Sequence, residues 1–223
     1  MKLKLLMAGV VAALSTAGAA SAATELVVNG GFKGDTRTGF TTVSAVTPAQ
    51  IAGWTVLTNY VDWSNGAWQS SDGDGYSLDL IGGFGRGAIA QTIATQAGRT
   101  YNLTFDISGN PDMYRDAGRL ITVSAGGAEI GEAQYVLSSA NTRNNMVWSS
   151  RSMSFVATGA FTQIVFTGTS DNTANCCWGA ALDNVSVMAA VPEPATWAMM
   201  IIGFGAAGSM VRTARRRDAL SLA

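Results

Sequence analysis

Tyr101, Leu103, Phe105 and Ile107 alternate with Asn102, Thr104 and Asp106, the period of two that marks a strand buried on one face. Tyr76, Leu78 and Leu80 alternate with Ser77 and Asp79 in the same way. The same reasoning predicts strands over residues 25–28, 88–93, 120–125, 152–157, 163–168 and 181–188. Gly, Asn, Asp and Ser break the chain between these stretches, the residues that tight turns demand. From Thr24 to Met188 nothing holds a capped 3.6-residue apolar period. Many short strands separated by turn signals predict a single all-β domain, a β-sandwich of the jelly-roll type. No internal repeat and no linker divides it.

The two ends follow different patterns. Lys2 and Lys4 precede an apolar stretch from Leu5 to about Ala17, and Ala20-Ser21-Ala22 supplies small residues at a cleavage position. This is the composition of a Sec signal peptide, residues 1–22, cleaved after Ala22. At the other end Pro192-Glu193-Pro194 stops the last strand, because proline cannot donate to a ladder. Trp197 then opens an apolar stretch to Val211, and Arg212, Arg215, Arg216 and Arg217 follow. That pattern predicts a short transmembrane helix over about 197–211, with the arginines on the cytoplasmic side of the inner membrane. Proline-glutamate-proline, apolar stretch and arginine cluster, in that order over residues 191–217, resemble the PEP-CTERM sorting signal of Gram-negative bacteria. The resemblance implies processing by exosortase, a membrane protease-transpeptidase of exopolysaccharide-producing cells. Pro192, Glu193, Pro194 and Trp197 are its motif residues.

Charge narrows the function classes. The chain has a net charge of −1 overall, but its basic residues concentrate at the ends. Between Ala23 and Ala190, eight Lys and Arg stand against thirteen Asp and Glu, a balance of −5. An acidic, Gly-rich domain without a basic stripe is no partner for nucleic-acid phosphates. The chain contains no histidine, which removes His-dependent triads and the usual zinc sites together. Its two cysteines, Cys176 and Cys177, are adjacent and cannot staple distant parts of a fold. They read as a local loop feature, with intermolecular pairing left open.

Aromatic residues carry the remaining chemistry. Trp63, Trp68 and Gln69, with Asp62 and Asp72 beside them, fall in a turn-rich stretch. Sugar rings pack their C–H faces on indoles while carboxylates and amides take their hydroxyls. The five residues are therefore a candidate carbohydrate-binding patch. Trp63 and Trp68 serve equally well as core residues, and their exposure decides between the two readings. Asp62, Asp79, Asp106 and Asp183 are available for paired-carboxylate glycoside hydrolysis, but no acid and base can be singled out, and a non-enzymatic protein is expected.

Asn29-Gly30-Gly31-Phe32, Gly53-Trp54-Thr55-Val56, Val61-Asp62-Trp63, Ser77-Leu78-Asp79-Leu80, Gly87–Thr92 and the closing Ala181–Val187 segment, in that order, resemble the choice-of-anchor C family of bacterial surface domains. The resemblance spans residues 23–190 and implies a galactose-binding-like sandwich. Such sandwiches hold a structural calcium ion between their first and last strands, and the matching positions are Asn29 and Asp183. Lys33 stands where the related pattern has a glutamate, which removes one oxygen donor from a cation that wants six or more. The combined expectation is an exosortase-sorted, exported protein with a polysaccharide-binding sandwich. The alternative is a structural or adhesive matrix protein that acts by self-association.

Overall fold

The computed structural model describes residues 24–46, 51–83, 85–112, 118–169, 178–190 and 194–221. The signal-peptide positions, Cys176, Cys177, Pro192 and Glu193 lie outside the described residues. Two antiparallel sheets pack face to face. One runs β1 (Gly39–Ser44), β3 (Tyr60–Asn65), β4 (Tyr76–Asp79), β11 (Ala180–Ala189), β6 (Thr100–Gly109) and β9 (Ser149–Val156) in spatial order. The other runs β2 (Thr55–Thr58), β5 (Ala88–Ala94), β10 (Phe161–Gly168), β7 (Gly118–Ala125) and β8 (Ala128–Val136). The chain crosses repeatedly between the sheets, giving the jelly-roll sandwich expected from the pattern.

The alternating strands place the core. Leu103, Phe105 and Ile107 of β6 point inward, as do Ile121 and Val123 of β7 and Ile164 and Phe166 of β10. Phe105 meets Phe166 edge-on at 5.2 Å, and Trp54 packs on Phe166 at 6.2 Å and on Phe32 at 5.3 Å. Fully burying a side chain of this size contributes about 1.5–3 kcal/mol each. This aromatic column locks the sheets together.

The first residues of the domain do not form the strand expected at 25–28. Glu25 makes a single bridge to Met188, and its carboxylate accepts the N–H groups of Val27 and Val187 at 2.8 and 2.9 Å and the Ser186 hydroxyl. A glutamate side chain here does the work of a strand partner. The next turn docks where the β11–β6 register shifts between Asp183 and Ser186: Val185 N–H donates to the Gly30 carbonyl at 3.0 Å. A Cβ on Gly30 would fall 1.8 Å from the Val185 oxygen, so only glycine fits. The domain thus begins and ends at one pole, beside Met188. The ends of β4, β6 and β10 lie at the opposite pole.

The tail forms α1 (Pro194–Ser221), longer than the expected 197–211 segment. Among the described residues no helix is long and apolar enough to cross a membrane. Its apolar stretch of about 15 residues reaches about 22 Å, against about 30 Å of hydrocarbon. Gly203, Gly205, Gly208 and Ser209 dilute it further.

Candidate functional site

The outer face of the six-stranded sheet is not open to solvent across its width. The loops at 66–75 and 138–148 lie over it, and Trp68, Met146 and Ala181 form a small second core there with Trp148 packed against them. Polar residues of the strands beneath are therefore buried and hydrogen-bonded, as burial requires. Asp183 accepts the N–H groups of Ser71 and Asn184, both at 2.7 Å. Asp106 accepts the hydroxyls of Ser150, at 2.5 Å, and Ser71, and the Asn184 amide at 3.1 Å. These two aspartates staple the 66–75 loop to the sheet. Burial pushes the Asp183 carboxyl up to about 7 against its two backbone N–H donors, and the nearby Asp72 and Asp74 push the same way.

The five-residue carbohydrate patch is not assembled. Trp63 points into the main core, 3% exposed, and its indole N–H donates to the Phe32 carbonyl at 2.6 Å. Trp68 is equally buried in the second core and donates to the Ser77 hydroxyl at 2.6 Å. The two indoles lie on opposite faces of one sheet and cannot floor a common site. Gln69 is used as a loop tie: its side-chain oxygen accepts the Met146 N–H at 3.1 Å and its carbonyl accepts the Trp148 indole N–H at 3.0 Å. Asp72 turns away to the Lys33 ammonium at 3.9 Å. Gln69 and Asp72 are exposed in the 66–75 loop, and Asp62, half-buried on the outer face of the sheet, accepts the Thr42 hydroxyl at 2.6 Å.

The calcium expectation also meets a different arrangement. Both polar atoms of the Asn29 side chain are spent on backbone: Oδ1 accepts Lys33 N–H at 2.7 Å, and Nδ2 donates to the carbonyls of Lys33 and Ala52. These bonds hold Asn29 at a φ of 57°, a conformation that asparagine tolerates better than most residues. The Lys33 ammonium lies 2.9 Å from Asp74 and is raised in pKa by the Asp74, Asp72 and Asp183 charges around it. The cation beside these carboxylates is the chain's own lysine. Among the described residues no group of three or more His, Cys, Asp or Glu side chains is placed to hold an ion.

A polar node that pattern reading did not single out sits at the pole away from the chain ends. Asp79, fully buried, accepts N–H groups from Ile81 at 2.8 Å and Gly179 at 2.9 Å, and the Asn110 amide at 2.8 Å. It thereby ties together three loops far apart in sequence. A Cβ on Gly179 would fall 2.3 Å from the carboxylate, which explains the glycine. Burial pushes the Asp79 carboxyl up to about 7. Burial pulls the neighbouring Arg119 down in pKa, and the Asp79 charge opposes that. From Asn110 the ties continue outward. Asn110 Oδ1 accepts Asp112 N–H at 3.0 Å, and Asp112 receives the Arg143 guanidinium in a two-pronged pair, both contacts 2.7 Å. Arg143 lies over the Phe40 ring, 5.8 Å from its centre. Phe40, Arg143 and Asp112 come from three separate stretches, and only the strand register and two loops bring them together.

The sandwich places the chain in a family: residues 25–188 match the model described as "Protein of unknown function (DUF642)", and the chain belongs to that family. Its limits lie within two residues of those drawn from the choice-of-anchor C resemblance. A second model, the PEP-CTERM protein-sorting motif, matches residues 190–217, as the tail pattern led us to expect. No curated protein matches the chain. Solved structures with a similar arrangement include a family 35 carbohydrate binding module from Clostridium thermocellum, 14% identical, covering 61% of this chain and 92% of that one, TM-score 0.43. The CBM35 of Paenibacillus barcinonensis is 15% identical, with coverages of 67% and 99% and a TM-score of 0.42. The C-terminal CBM6 of a marine laminarinase from Zobellia galactanivorans is 13% identical, with coverages of 67% and 99% and a TM-score of 0.41. Each likeness concerns the fold alone.

Proposed function

We propose that this chain is an exported, exosortase-sorted surface protein whose sandwich binds envelope or matrix polysaccharide without catalysing a reaction on it. The observation that carries the reading is the position of the sorting motif, at 190–217, directly behind the last strand. A domain attached through the pole where it also begins presents its opposite pole and its sheet faces outward. A binding role is favoured over a catalytic one by what the aspartates do. Asp62 and Asp79 are cross-strand neighbours, but Asp79 is buried under its N–H donors, while Asp106 and Asp183 are consumed by the loop staples. An acid and a base flanking a scissile bond both need access to it. The ligand we propose is a neutral polysaccharide, since the acidic domain repels polyanions.

The test is retention of the full-length chain, purified in mild detergent, on immobilised β-glucan, xylan, galactan and mannan. Binding to at least one, nearly unchanged from low salt to about 0.5 M salt, is the expected result, because hydroxyl recognition does not rest on long-range charge. Failure to bind any of them, with covalent or non-covalent self-association instead, replaces this reading with that of a structural matrix protein.

A further inference from the structure

Phe40 stands on the outer face of the six-stranded sheet, 38% exposed, and fixed groups surround it. The alternation of β1 puts Thr42 on the same face, about 7 Å along the strand. The buried Trp68 backs the Phe40 ring edge-on at 4.8 Å, and its own indole N–H is tied to Ser77, so the ring cannot retreat. The Arg143 guanidinium lies over one part of the ring, 5.8 Å from its centre, and is paired with Asp112, which is held in place through Asn110 by buried Asp79. Further along the same two strands, β1 and β3, stands the Thr42–Asp62 pair. We propose that Phe40, the Arg143–Asp112 pair and the Thr42–Asp62 pair form a subsite for one pyranose ring of a neutral polysaccharide. The inference rests on the polysaccharide reading above and gives it a place.

The chemistry of the surface selects this ligand. A pyranose presents a C–H face that packs on an aromatic ring, with hydroxyls around its rim that both donate and accept. The guanidinium has more N–H groups than its fork to Asp112 uses and donates the rest to ring or hydroxyl oxygens. The Asp62 carboxylate, with one oxygen engaged by Thr42, accepts hydroxyl protons. The one cation is already paired with Asp112 and Asp62 adds a further negative charge, so a polyanion gains nothing here. Preorganisation favours binding, since Arg143 is locked before the ligand arrives and little side-chain entropy remains to be lost.

The location agrees with display. Thr42 pairs with Asp62, Asp62 with Asp79 and Asp79 with Ala181, so the upper edge of the subsite lies level with the start of β11. The chain leaves the domain at the far end of that strand, about 27 Å away along it. A polymer lying across the sheet at this level is clear of the tail.

The test compares full-length wild type with Phe40→Ala, Phe40→Trp, Arg143→Lys and Asp62→Asn, on the neutral polysaccharides named above and on alginate as a polyanion. Melting curves are recorded beside each affinity. We expect Phe40→Ala to weaken retention by about tenfold or more, Phe40→Trp to keep it, and Arg143→Lys to lose several-fold with an unchanged melt. If Phe40→Ala melts early because Trp68 loses its neighbour, Arg143→Lys decides, since it leaves the ring in place. A wild type that binds while Phe40→Ala and Arg143→Lys bind equally well overturns the subsite and leaves the polysaccharide reading standing. Retention on alginate alone overturns the neutral ligand. No retention at all overturns both.

Discussion

Trp63 and Trp68 are the same residue type five positions apart, and each is held by one hydrogen bond from its indole N–H to a different layer of the molecule. Trp63 bonds the Phe32 carbonyl inside the sandwich, where truncation leaves a large cavity and an unsatisfied acceptor. Trp→Ala in a packed interior costs about 3–5 kcal/mol, and for a domain of this size each 1 kcal/mol moves the melting temperature by about 2–4 °C. We therefore expect Trp63→Ala to melt on the order of 10 °C below wild type by circular dichroism. Trp68→Ala opens only the small second core on the outer face and should melt closer to wild type. It should nonetheless weaken polysaccharide retention, because Phe40 loses its backing. A Trp63→Ala protein that melts with wild type contradicts the burial described here.

At the scale of elements, β4 and β11 show how a loop cover changes what a strand can carry. Ser77, Asp79, Ala181 and Asp183 occupy the outer face yet are buried, and two of them are carboxyls raised to about 7 by that burial. Each carboxyl goes from an ordinary value of 3.8 in the unfolded chain to about 7 in the fold, so the folded state binds protons more tightly between those values. The stability that this contributes is complete below about pH 4 and is lost as pH rises through 7. We expect the melting temperature to fall between pH 5 and pH 8, by on the order of 5 °C or more. Asp183→Asn should flatten that slope; a slope as steep as wild type's counts against Asp183 as its source. The same cover limits what pattern can reveal. β6, β7, β10 and β11 alternate cleanly in sequence because one face is apolar core. β8 is an edge strand with Glu129, Glu132 and Gly131 and little burial at its start, and β1 is a Thr-rich edge, so neither carries a clear period of two. β3 mixes core and covered positions, and its Trp63 reads as a ligand platform until the register turns it inward. Of the residues in the proposed subsite, Asp62 stood out by its neighbours in sequence. Phe40, Arg143 and Asp112 did not, since nothing local in any of the three stretches marks a convergence made by strand register and loop ties.

For the whole molecule, the decisive geometry is that the domain begins and ends at one pole, with Glu25 bridged to Met188. All the described core residues of the sandwich lie between Val27 and Val187, inside the bounds expected for the processed domain. Processing at both ends should therefore cost the fold nothing. We expect material extracted from the cell surface to begin at Ala23 and to lack the residues from about Trp197 onward, measured by intact-mass and terminal-peptide mass spectrometry. The trimmed product should melt at the same temperature as the full-length chain in detergent. A surface-extracted protein with Arg215, Arg216 and Arg217 still attached shows that the tail is not cleaved and removes exosortase from the account. A trimmed product that melts early shows that the tail contributes to the sandwich after all. Both measurements bear on display: a domain released or re-attached through residues just behind β11 keeps its tether at that pole, and the Phe40 face stays turned to the surrounding matrix.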